Sequence, residues 1–394
     1  MIPSAFMATD HANQSSKKLQ IAVLNRTFSP TGGGAERYSI SLVQHLAARH
    51  EIHVFAQEIG HEWPGVTYHQ VSMPLRKPRW VNQLWFATAT WWATRRGFDV
   101  VHSHENTWHG AVQTAHVLPV KYNLFNGRSG WQYALCCLRV ATSPRLLTYL
   151  GLESLRYAPR PGRQVVVTSE SLKAIMLSSY PNSRAMLSVI TPGITLRPLR
   201  VTPLQKSEAR AGLDLPATGR CLLFVGNDYR KKGLPVVLDV LASLPADVFL
   251  VVVGTTAEIA GFRDQVQALG LAQRVFFLGS LQDVSPAYMA ADVLVHPTLE
   301  DTFAMVVLEA MAHGLPVVVS GPRYCGISGL LANGVNAIVL DDPRDAAHLQ
   351  QVLARMLDDP AFQAQLRQGA LDFSRHYQWR AIALQQEALY FSCL

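Results

Sequence analysis

A chain of 394 residues is too long for one ordinary compact domain, and at roughly 150 residues per domain its length predicts two or three. Hydrophobic residues make up 49% of it and charged residues 16%, which excludes a largely disordered protein. Residues 1–195 carry 19 Lys and Arg against 9 Asp and Glu, a net charge of +10. Residues 196–394 carry 16 against 19, a net charge of −3. An anionic partner is therefore expected for the N-terminal half of the chain.

Residues 1–18 have no long apolar stretch of the kind found in signal peptides, and we expect a disordered leader. Short apolar strands then alternate with helical periodicity. The strands predicted in the first half are 19–24, 51–55, 99–102 and 164–168, with a helix over 36–48 after the first of them. This alternation is typical of a parallel sheet covered by helices on both faces.

The segment 75–98 interleaves five basic residues with Trp80, Trp85, Trp91 and Trp92. Tryptophan beside Lys and Arg suits an anionic lipid headgroup layer, so peripheral contact with a membrane is one interpretation. The other is that the tryptophans pack inward as the core of a helix. No window of about 18 uninterrupted apolar residues predicts a membrane span. No nucleic-acid-binding module is recognisable either, so nucleic acid is not expected as a partner.

The second half repeats the alternation of strand and helix. Its predicted strands are 221–225, 248–253, 275–278, 293–296 and 316–320. We therefore predict an α/β fold of two doubly wound domains, 19–195 and 196–375, facing each other across a cleft. The join is placed near 192–203, where three prolines break the pattern, and a final helix within 376–394 is expected to return to the N-terminal domain.

The five cysteines form neither a disulfide framework nor a zinc motif, because no pair has Cys-x-x-Cys spacing. They are Cys136, Cys137, Cys221, Cys325 and Cys393. The adjacent pair lies between leucines, and we expect both members to be core thiols.

A glycine-rich loop, 29–37, follows the first strand and reads SPTGGGAER. Glycines there would let the backbone approach a ligand and expose the amides of the next helix. The dinucleotide pattern G-x-G-x-x-G is not met, because Arg37 stands where its third glycine would fall. A plain turn is the alternative for this loop.

Four histidines cluster at or after the ends of predicted strands: His102, His104, His109 and His116. One or more could contact a sugar hydroxyl in the cleft. No carboxylate or cysteine completes a familiar metal-ligand spacing, so a metal site is not predicted. We expect His104 and His109 to be structural polar residues, whereas His116, before a Val-Leu-Pro loop, is the better functional candidate.

The stretch 222–234, LLFVGNDYRKKGL, reads as strand, glycine turn, cations and helix. Gly226 permits a tight turn at the carboxyl end of the strand. Lys232 would reach a diphosphate held at a neighbouring helix start and stabilise charge on a leaving group. Arg230 and Lys231 are expected to be solvated or secondary.

The most specific stretch is 297–319, PTLEDTFAMVVLEAMAHGLPVVV. Its spacing predicts a helix over 304–313, ended by Gly314 and Pro316. With Thr302 as N-cap, free amides would form an anion site suited to a diphosphate. The amides predicted to be free are those of Phe303, Ala304 and Met305.

Two carboxylates flank that predicted anion site. Asp301 precedes the helix and Glu309 lies about two turns into it, and a carboxylate can accept two hydroxyl donors from a ribose or a hexose. The alternative is that Asp301 is only a helix-start acid and Glu309 a polar position on a core helix.

The block from Asp301 to Glu309, followed by AMAHGLPVV, resembles the hallmark of the family 4 glycosyltransferases. These are retaining nucleotide-sugar enzymes of the GT-B architecture, which has two Rossmann-like domains. The resemblance covers nearly the whole chain, from Gly32 to the helix around Trp379. The stretch from Gly226 to Gly233 is most similar to the lipopolysaccharide-core glucosyltransferases.

The resemblance implies that Glu309 binds the donor's ribose hydroxyls and that Lys232 holds the diphosphate. It also places Asp301 against the transferred sugar and His116 near the sugar hydroxyls and the acceptor. Lys232, Asp301 and His116 are thereby the candidate catalytic residues. The further donor contacts that it implies are Gly33, Gly34, Gly226, Asn227, Arg230, the backbone at 278–281 with Leu278, and the amides of Phe303, Ala304, Met305 and Val306.

Three departures from the family pattern bear on donor choice. Asp301 replaces the family's first Glu and is one methylene shorter, with Glu300 before it, so either the loop shifts or the contact with the donor sugar differs. Asn227 replaces an Arg, and Phe303-Ala304 replaces a glycine-containing turn. The cations that could compensate for the missing Arg are Arg230, Lys231 and Arg197.

The expected activity is transfer of a hexose from a nucleoside-diphosphate sugar, UDP-linked, to a hydroxyl of a glycolipid or saccharide. Cell-envelope glycan synthesis, such as that of lipopolysaccharide, is the expected setting, in the cytoplasm or at the inner face of the membrane. No Asp-x-Asp element is present, so neither metal nor other cofactor is expected. A hydrolase or epimerase of the same fold, and a non-catalytic nucleotide-sugar-binding subunit, are the alternatives.

Overall fold

A computed structural model of the chain describes residues 17–30, 33–195, 201–255, 257 and 259–394. Most of the predicted leader and Arg197 therefore lie outside the described residues, as does Gly32. Two α/β domains, each built on one parallel sheet, follow one another along the chain.

The N-terminal domain contains nine strands and six α-helices in the described residues. The strands are β1 (Gln20–Leu24), β2 (Thr27–Phe28), β3 (Glu51–Ala56), β4 (Glu58–Ile59), β5 (Val66–Gln70), β6 (Val100–Ser103), β7 (Val112–Ala115), β8 (Gln164–Val167) and β9 (Leu187–Val189). The helices are α1 (Gly34–Leu46), α2 (Arg79–Thr94), α3 (Val120–Phe125), α4 (Gly130–Ala141), α5 (Pro144–Arg156) and α6 (Glu170–Ser179). Seven strands form a parallel sheet in the order β5-β3-β1-β6-β7-β8-β9, and β2 pairs with β4 beside it.

The C-terminal domain is a parallel sheet in the order β12-β11-β10-β13-β14-β15. Its strands are β10 (Arg220–Val225), β11 (Val248–Val253), β12 (Val275–Gly279), β13 (Val293–His296), β14 (Val317–Ser320) and β15 (Ile338–Leu340). Its helices are α7 (Pro203–Gly212), α8 (Leu234–Ser243), α9 (Ile259–Ala268), α10 (Ser285–Ala290), α11 (Met305–Ala312), α12 (Ala346–Asp358) and α13 (Pro360–Ser374). All six residues of β11 are buried, because helices cover both faces of the sheet.

A last helix, α14 (Trp379–Phe391), lies on the N-terminal domain beside α1. Its approach is close at Gly193, where a Cβ atom would lie 2.8 Å from the Cα atom of Trp379. Within the interface, Nε2 of His50 is 2.8 Å from Oε1 of Glu387. The chain therefore crosses between the domains twice, near 195–201 and before α14.

The structure confirms all nine predicted strands to within a residue or two and adds several that the pattern did not predict. The added strands of the main sheets are β5, β7, β9 and β15. They are short or rich in polar residues. Gln113 and Thr114 of β7 are buried but bonded, to Arg156 and His102 respectively, and such long-range partners leave no local signal.

Two predictions about apolar surface are changed by the structure. Cys136 is buried, but Cys137 is exposed, because neighbouring residues of a helix point about 100° apart. In α2 the tryptophans Trp85, Trp91 and Trp92 are 43%, 41% and 66% exposed, so these three do not pack inward as buried core residues. Within the described residues, no helix combines the length and the hydrophobicity that a membrane span requires.

Candidate functional site

The turn between β10 and α8 directs Lys232 toward the neighbouring strand end. A Cβ atom at Gly226 would lie 2.9 Å from Cγ of Lys232, so the lysine packs across the glycine. Gly233 has φ 86° and precedes α8, and a Cβ atom there would meet the carbonyl oxygen of Pro297 at 2.1 Å. Only glycine fits this position.

Lys232 is held by the loop that follows β13. Its Nζ donates to Oδ2 of Asp301 at 2.6 Å and to the carbonyl oxygen of Glu300 at 3.1 Å. Nε2 of His296 lies 3.5 Å from the same carboxylate oxygen. Burial alone would raise the pKa of the Asp301 carboxyl, but His296 and the charge of Lys232 outweigh it and hold this pKa well below its usual range. Asp301 is therefore ionised and paired with Lys232.

The N-terminus of α11 differs from the prediction. The helix begins at Met305, after Ala304 in a left-handed conformation with φ 68°. Oδ1 of Asp301, and not Thr302, accepts the amides of Phe303 at 3.1 Å and Ala304 at 2.7 Å. These two amides are therefore already bonded, and the prediction that they are free was wrong.

The next two amides are the ones left for an anion. Those of Met305 and Val306 have no hydrogen-bond partner among the described residues. They lie at the start of α11, where the helix dipole favours negative charge. Because Asp301 bonds both Lys232 and the amides just before α11, the lysine is held close to this helix start.

Thr302 does not cap α11 and instead joins the two domains. Its Oγ1 donates to the carbonyl oxygen of His116 at 2.8 Å, and its own carbonyl oxygen accepts Oγ of Ser169 at 2.8 Å. Ser169 is also the N-cap of α6. The loop that carries Asp301 is therefore tied directly to the N-terminal domain beside His116.

Glu309 lies inside the cleft with partners from both domains. The hydroxyl of Tyr288 donates to Oε2 of Glu309 at 2.8 Å. Burial, and then the charge of Glu309, raise the pKa of Tyr288 well above its ordinary value, so the hydroxyl stays protonated. Nη1 of Arg37, on α1, lies 3.8 Å from Oε1 of the same carboxylate. Sequence reasoning missed both partners.

The glycine-rich loop faces the start of α11. Gly33 precedes α1, and a Cβ atom at Gly34 would lie 3.8 Å from Sδ of Met305. Nε of Arg37 donates to the carbonyl oxygen of Pro30 at 3.1 Å, which links α1 to the end of the segment that follows β2. The loop and the predicted anion site are thus adjacent across the cleft.

The remaining predicted contacts lie at or near the same sheet edge. Leu278 is partly buried near the end of β12, and the next carbonyl, of Gly279, accepts the amide of Gly254 at 2.9 Å. Asn227 is exposed directly after Gly226. Arg230 lies over the ring of Phe262, 5.5 Å from its centroid, and Lys231 pairs with Glu300. The structure therefore gives Arg230 and Lys231 partners other than Asp301 and the start of α11.

Among the predicted histidines, His102, His104 and His109 are buried and His116 is partly exposed after β7. In the described parts of the chain no group of three or more His, Cys, Asp or Glu side chains is arranged to hold a metal.

Two family profiles match the chain in succession. The description "Glycosyltransferase Family 4" matches residues 32–197, and "Glycosyl transferases group 1" matches residues 205–372. The chain is a family 4 glycosyltransferase with the GT-B fold. The boundary between the two matches falls in the segment that connects the two sheets.

Curated relatives of this glycosyltransferase match over part of their length. Lipopolysaccharide glucosyltransferase WaaG of Escherichia coli (strain K12) is 33% identical over 160 residues, 40% of this chain and 41% of the relative. D-inositol 3-phosphate glycosyltransferase of Corynebacterium efficiens is 28% identical over 237 residues, 57% of this chain and 55% of the relative. The match therefore spans about half or less of these relatives' length.

Solved structures match the glycosyltransferase over nearly its whole length. WaaG, described as involved in lipopolysaccharide biosynthesis, has a TM-score of 0.80 at 20% identity and covers 94% of this chain and 99% of its own. The Anabaena protein Alr3699/HepE in complex with UDP-glucose has a TM-score of 0.76 at 20% identity, with 95% and 100% covered. These similarities show the fold.

Proposed function

We propose that this glycosyltransferase transfers a hexose from a nucleoside-diphosphate sugar, UDP-linked, to a hydroxyl of a glycolipid or saccharide, with retained anomeric configuration. The observation that carries the proposal is that Asp301 bonds Lys232 through one carboxylate oxygen and the amides just before α11 through the other, which brings a cation close to the start of that helix. A cation and a helix N-terminus are together suited to a leaving diphosphate.

The donor's diphosphate would lie between Lys232 and the start of α11, with Gly33 and Gly34 on the opposite wall. Lysine and helix dipole would then neutralise the leaving group without a metal ion. Glu309 would accept the ribose hydroxyls in place of its present contact with Arg37. Closure of the two domains on the donor would exclude water from the anomeric carbon and so limit hydrolysis of the donor.

Asp301 is proposed to act close to the transferred sugar through Lys232. Its carboxylate is occupied by the lysine and by two backbone amides, so it orients the lysine and the helix start. His116 lies one hydrogen bond away through Thr302, at the place where a sugar hydroxyl would meet the N-terminal domain. We propose that Asp301, although one methylene shorter than the Glu of the family pattern, serves the donor site in this way.

Uridine as the donor base is supported by the similar Anabaena structure, which holds UDP-glucose. Lipopolysaccharide or another cell-envelope glycan is supported by the relative named lipopolysaccharide glucosyltransferase. The D-inositol 3-phosphate relatives, in turn, use a phosphorylated polyol by name. Lipopolysaccharide and an inositol phosphate, the two compounds that these relatives' names contain, are both rich in hydroxyl groups, which supports a polyhydroxylated acceptor.

The acceptor is proposed to bind the N-terminal domain, in a pocket of about 710 Å³ beside the ribbon of β2 and β4. Gln57 is a buried lining residue and is fixed by a reciprocal amide pair with Asn82, at 2.7 and 2.9 Å. Glu58 and Arg76 also line it and are exposed. Carboxylate, amide and guanidinium groups suit a saccharide that carries an anionic substituent.

Product analysis tests the proposed reaction against its alternatives. Proton NMR would follow UDP-glucose with and without added lipopolysaccharide-core oligosaccharide as acceptor. We expect an α-linked product that forms only with acceptor. Free glucose released equally without acceptor would indicate a hydrolase, and an altered UDP-sugar would indicate an epimerase. No turnover of any donor, with nucleotide bound, would favour a non-catalytic binding subunit.

Peripheral contact with an anionic membrane, at the cytoplasmic face, is proposed for the surface of α2. Trp91 and Trp92 are exposed there, and no acidic residue occurs between Glu62 and Asp99. Aromatic side chains among basic ones bind anionic lipid headgroups.

Vesicle flotation checks this surface. The double variant Trp91→Ser, Trp92→Ser is expected to lose most binding to phosphatidylglycerol vesicles, because it removes two of the three exposed tryptophan rings of α2. Trp63→Ser, which removes a tryptophan that is 43% exposed and lies outside α2, is the control and should bind like the wild type. Equal binding by both variants, or equal binding to neutral vesicles, would contradict the contact.

A further inference from the structure

Three histidines, His102, His104 and His116, form a row at the cleft edge of the N-terminal sheet. Both ring nitrogens of His102 are bonded: Nδ1 lies 2.7 Å from the hydroxyl of Tyr390 and Nε2 lies 2.6 Å from Oγ1 of Thr114. The ring of His102 in turn packs against that of His104, with centroids 4.2 Å apart. The first ring of the row is therefore fixed and limits movement of the second.

A hydrogen bond joins the second and third rings. Nδ1 of His104 lies 2.9 Å from Nε2 of His116, the ring planes are 15° apart, and the centroids are separated by 5.2 Å. That separation is the one expected for two imidazoles joined end to end, so the bond lies close to both ring planes. Because a hydrogen bond needs one donor, either Nδ1 of His104 or Nε2 of His116 must carry the proton between them.

Both rings are neutral at ordinary pH. Burial lowers the pKa of His116 to about 3, and burial lowers the pKa of His104 well below its ordinary value. Nearby charge acts in the same direction, because Arg156 is the cation that faces the row and no acidic group is among the causes of either shift. Each ring therefore carries a single N–H.

The environment of Nε2 of His104 selects between the two arrangements. This nitrogen is buried and has no hydrogen-bond partner in the described structure. A proton there would leave a buried donor unpaired, whereas a bare nitrogen leaves only an unused acceptor, which proteins tolerate better. His104 therefore carries its proton on Nδ1 and donates it to Nε2 of His116.

We propose that His104 is a positioning residue that fixes His116 as the tautomer protonated on Nδ1, so that His116 presents a hydrogen-bond donor to a substrate hydroxyl oxygen. Nδ1 of His116 has no partner among the described residues, and the side chain is partly exposed. Tyr38 packs edge-on against the ring at 5.0 Å and holds its orientation. The inference rests on the proposed function for the identity of the substrate, and on the geometry alone for the tautomer.

Nitrogen-15 NMR of histidine-labelled protein without ligand tests the tautomer, with the His116 signals assigned by comparison with His116→Gln. We expect protonated Nδ1 and bare Nε2 in the wild type. His104→Asn keeps an N–H donor at the position of Nδ1 and should preserve this pattern. His104→Leu removes the donor and should give a mixture of tautomers. His109→Leu is the control, because both ring nitrogens of His109 lack partners and no contact with His116 is present in the described structure.

Kinetics supply the functional readout. His104→Leu is expected to lower kcat about 10- to 100-fold, the loss seen when the orienting partner of a metal-bound histidine is removed, with the KM for donor little changed. His104→Asn should restore most of kcat. A wild-type His116 protonated on Nε2, or a His104→Leu variant with unchanged tautomer and kcat, would overturn the inference. If the Leu variant does not fold, the wild-type spectrum and His104→Asn decide. Failure of UDP to bind the wild type would defeat the proposed function instead and leave the tautomer result standing.

Discussion

Lys232→Ala is expected to lower kcat about 100- to 1,000-fold, because it removes the side chain that would neutralise the leaving diphosphate. The loss should appear mainly in kcat, since charge on the leaving group grows in the transition state. Steady-state kinetics with UDP-glucose measure it. Thermal unfolding of the variant must accompany the kinetics, because Lys232 also pairs with Asp301 at 2.6 Å in a mostly buried position.

Lys231→Ala is the matched control for that variant. It removes the same charge from the adjacent position, but its amine pairs with Glu300 and is more exposed, 42% against 19% for Lys232. We expect its kcat to stay close to that of the wild type. Equal losses in the two variants would show that only the charge of the loop matters, and would contradict the assignment of Lys232.

Glu309→Gln is expected to weaken binding of UDP about 10- to 150-fold, since hydrogen bonds to a charged group contribute roughly 1.5–3 kcal/mol. The amide keeps the shape of the side chain and an acceptor for Tyr288, so the fold should persist. Calorimetric titration with UDP gives the affinity.

The ribose assignment is checked by repeating that titration with UDP that lacks the 2′-hydroxyl. Wild-type protein should bind this analogue more weakly than UDP, whereas Glu309→Gln should bind both alike. Glu300→Gln, which alters a carboxylate paired with Lys231 and leaves Glu309 intact, should behave as the wild type. A penalty for the missing hydroxyl that persists undiminished in Glu309→Gln would place the ribose elsewhere.

Local sequence was sufficient for the parts of the site that depend on neighbours along the chain. Gly226 and Gly233 predicted the turn that carries Lys232, because apolar strands and glycine turns have short-range signatures. The apolar runs likewise predicted β11 and β13 with their full lengths. The alternation of strands and helices also predicted that two α/β domains follow one another along the chain.

Contacts between distant residues were not predictable in the same way. Arg37 and Glu309 are 272 positions apart and meet only because the domains face each other. The cap at α11 was missed because Ala304 adopts a left-handed conformation, which alanine rarely does, and this moves the helix start to Met305. The position of His296 as the last residue of a predicted strand placed it at the carboxyl edge of the sheet, where a site is expected. Its contact with Asp301 had no signature in the local sequence.

A thermal-shift panel of nucleotides tests the proposed donor site most directly. UDP at 100 times its dissociation constant should stabilise the folded protein by about 2.7 kcal/mol, and UDP-glucose should do so comparably. The gain should shrink in Lys232→Ala and in Glu309→Gln when the same concentration is used. An unchanged unfolding temperature with every nucleotide and nucleotide sugar would contradict the assignment of the cleft as a nucleotide-sugar site.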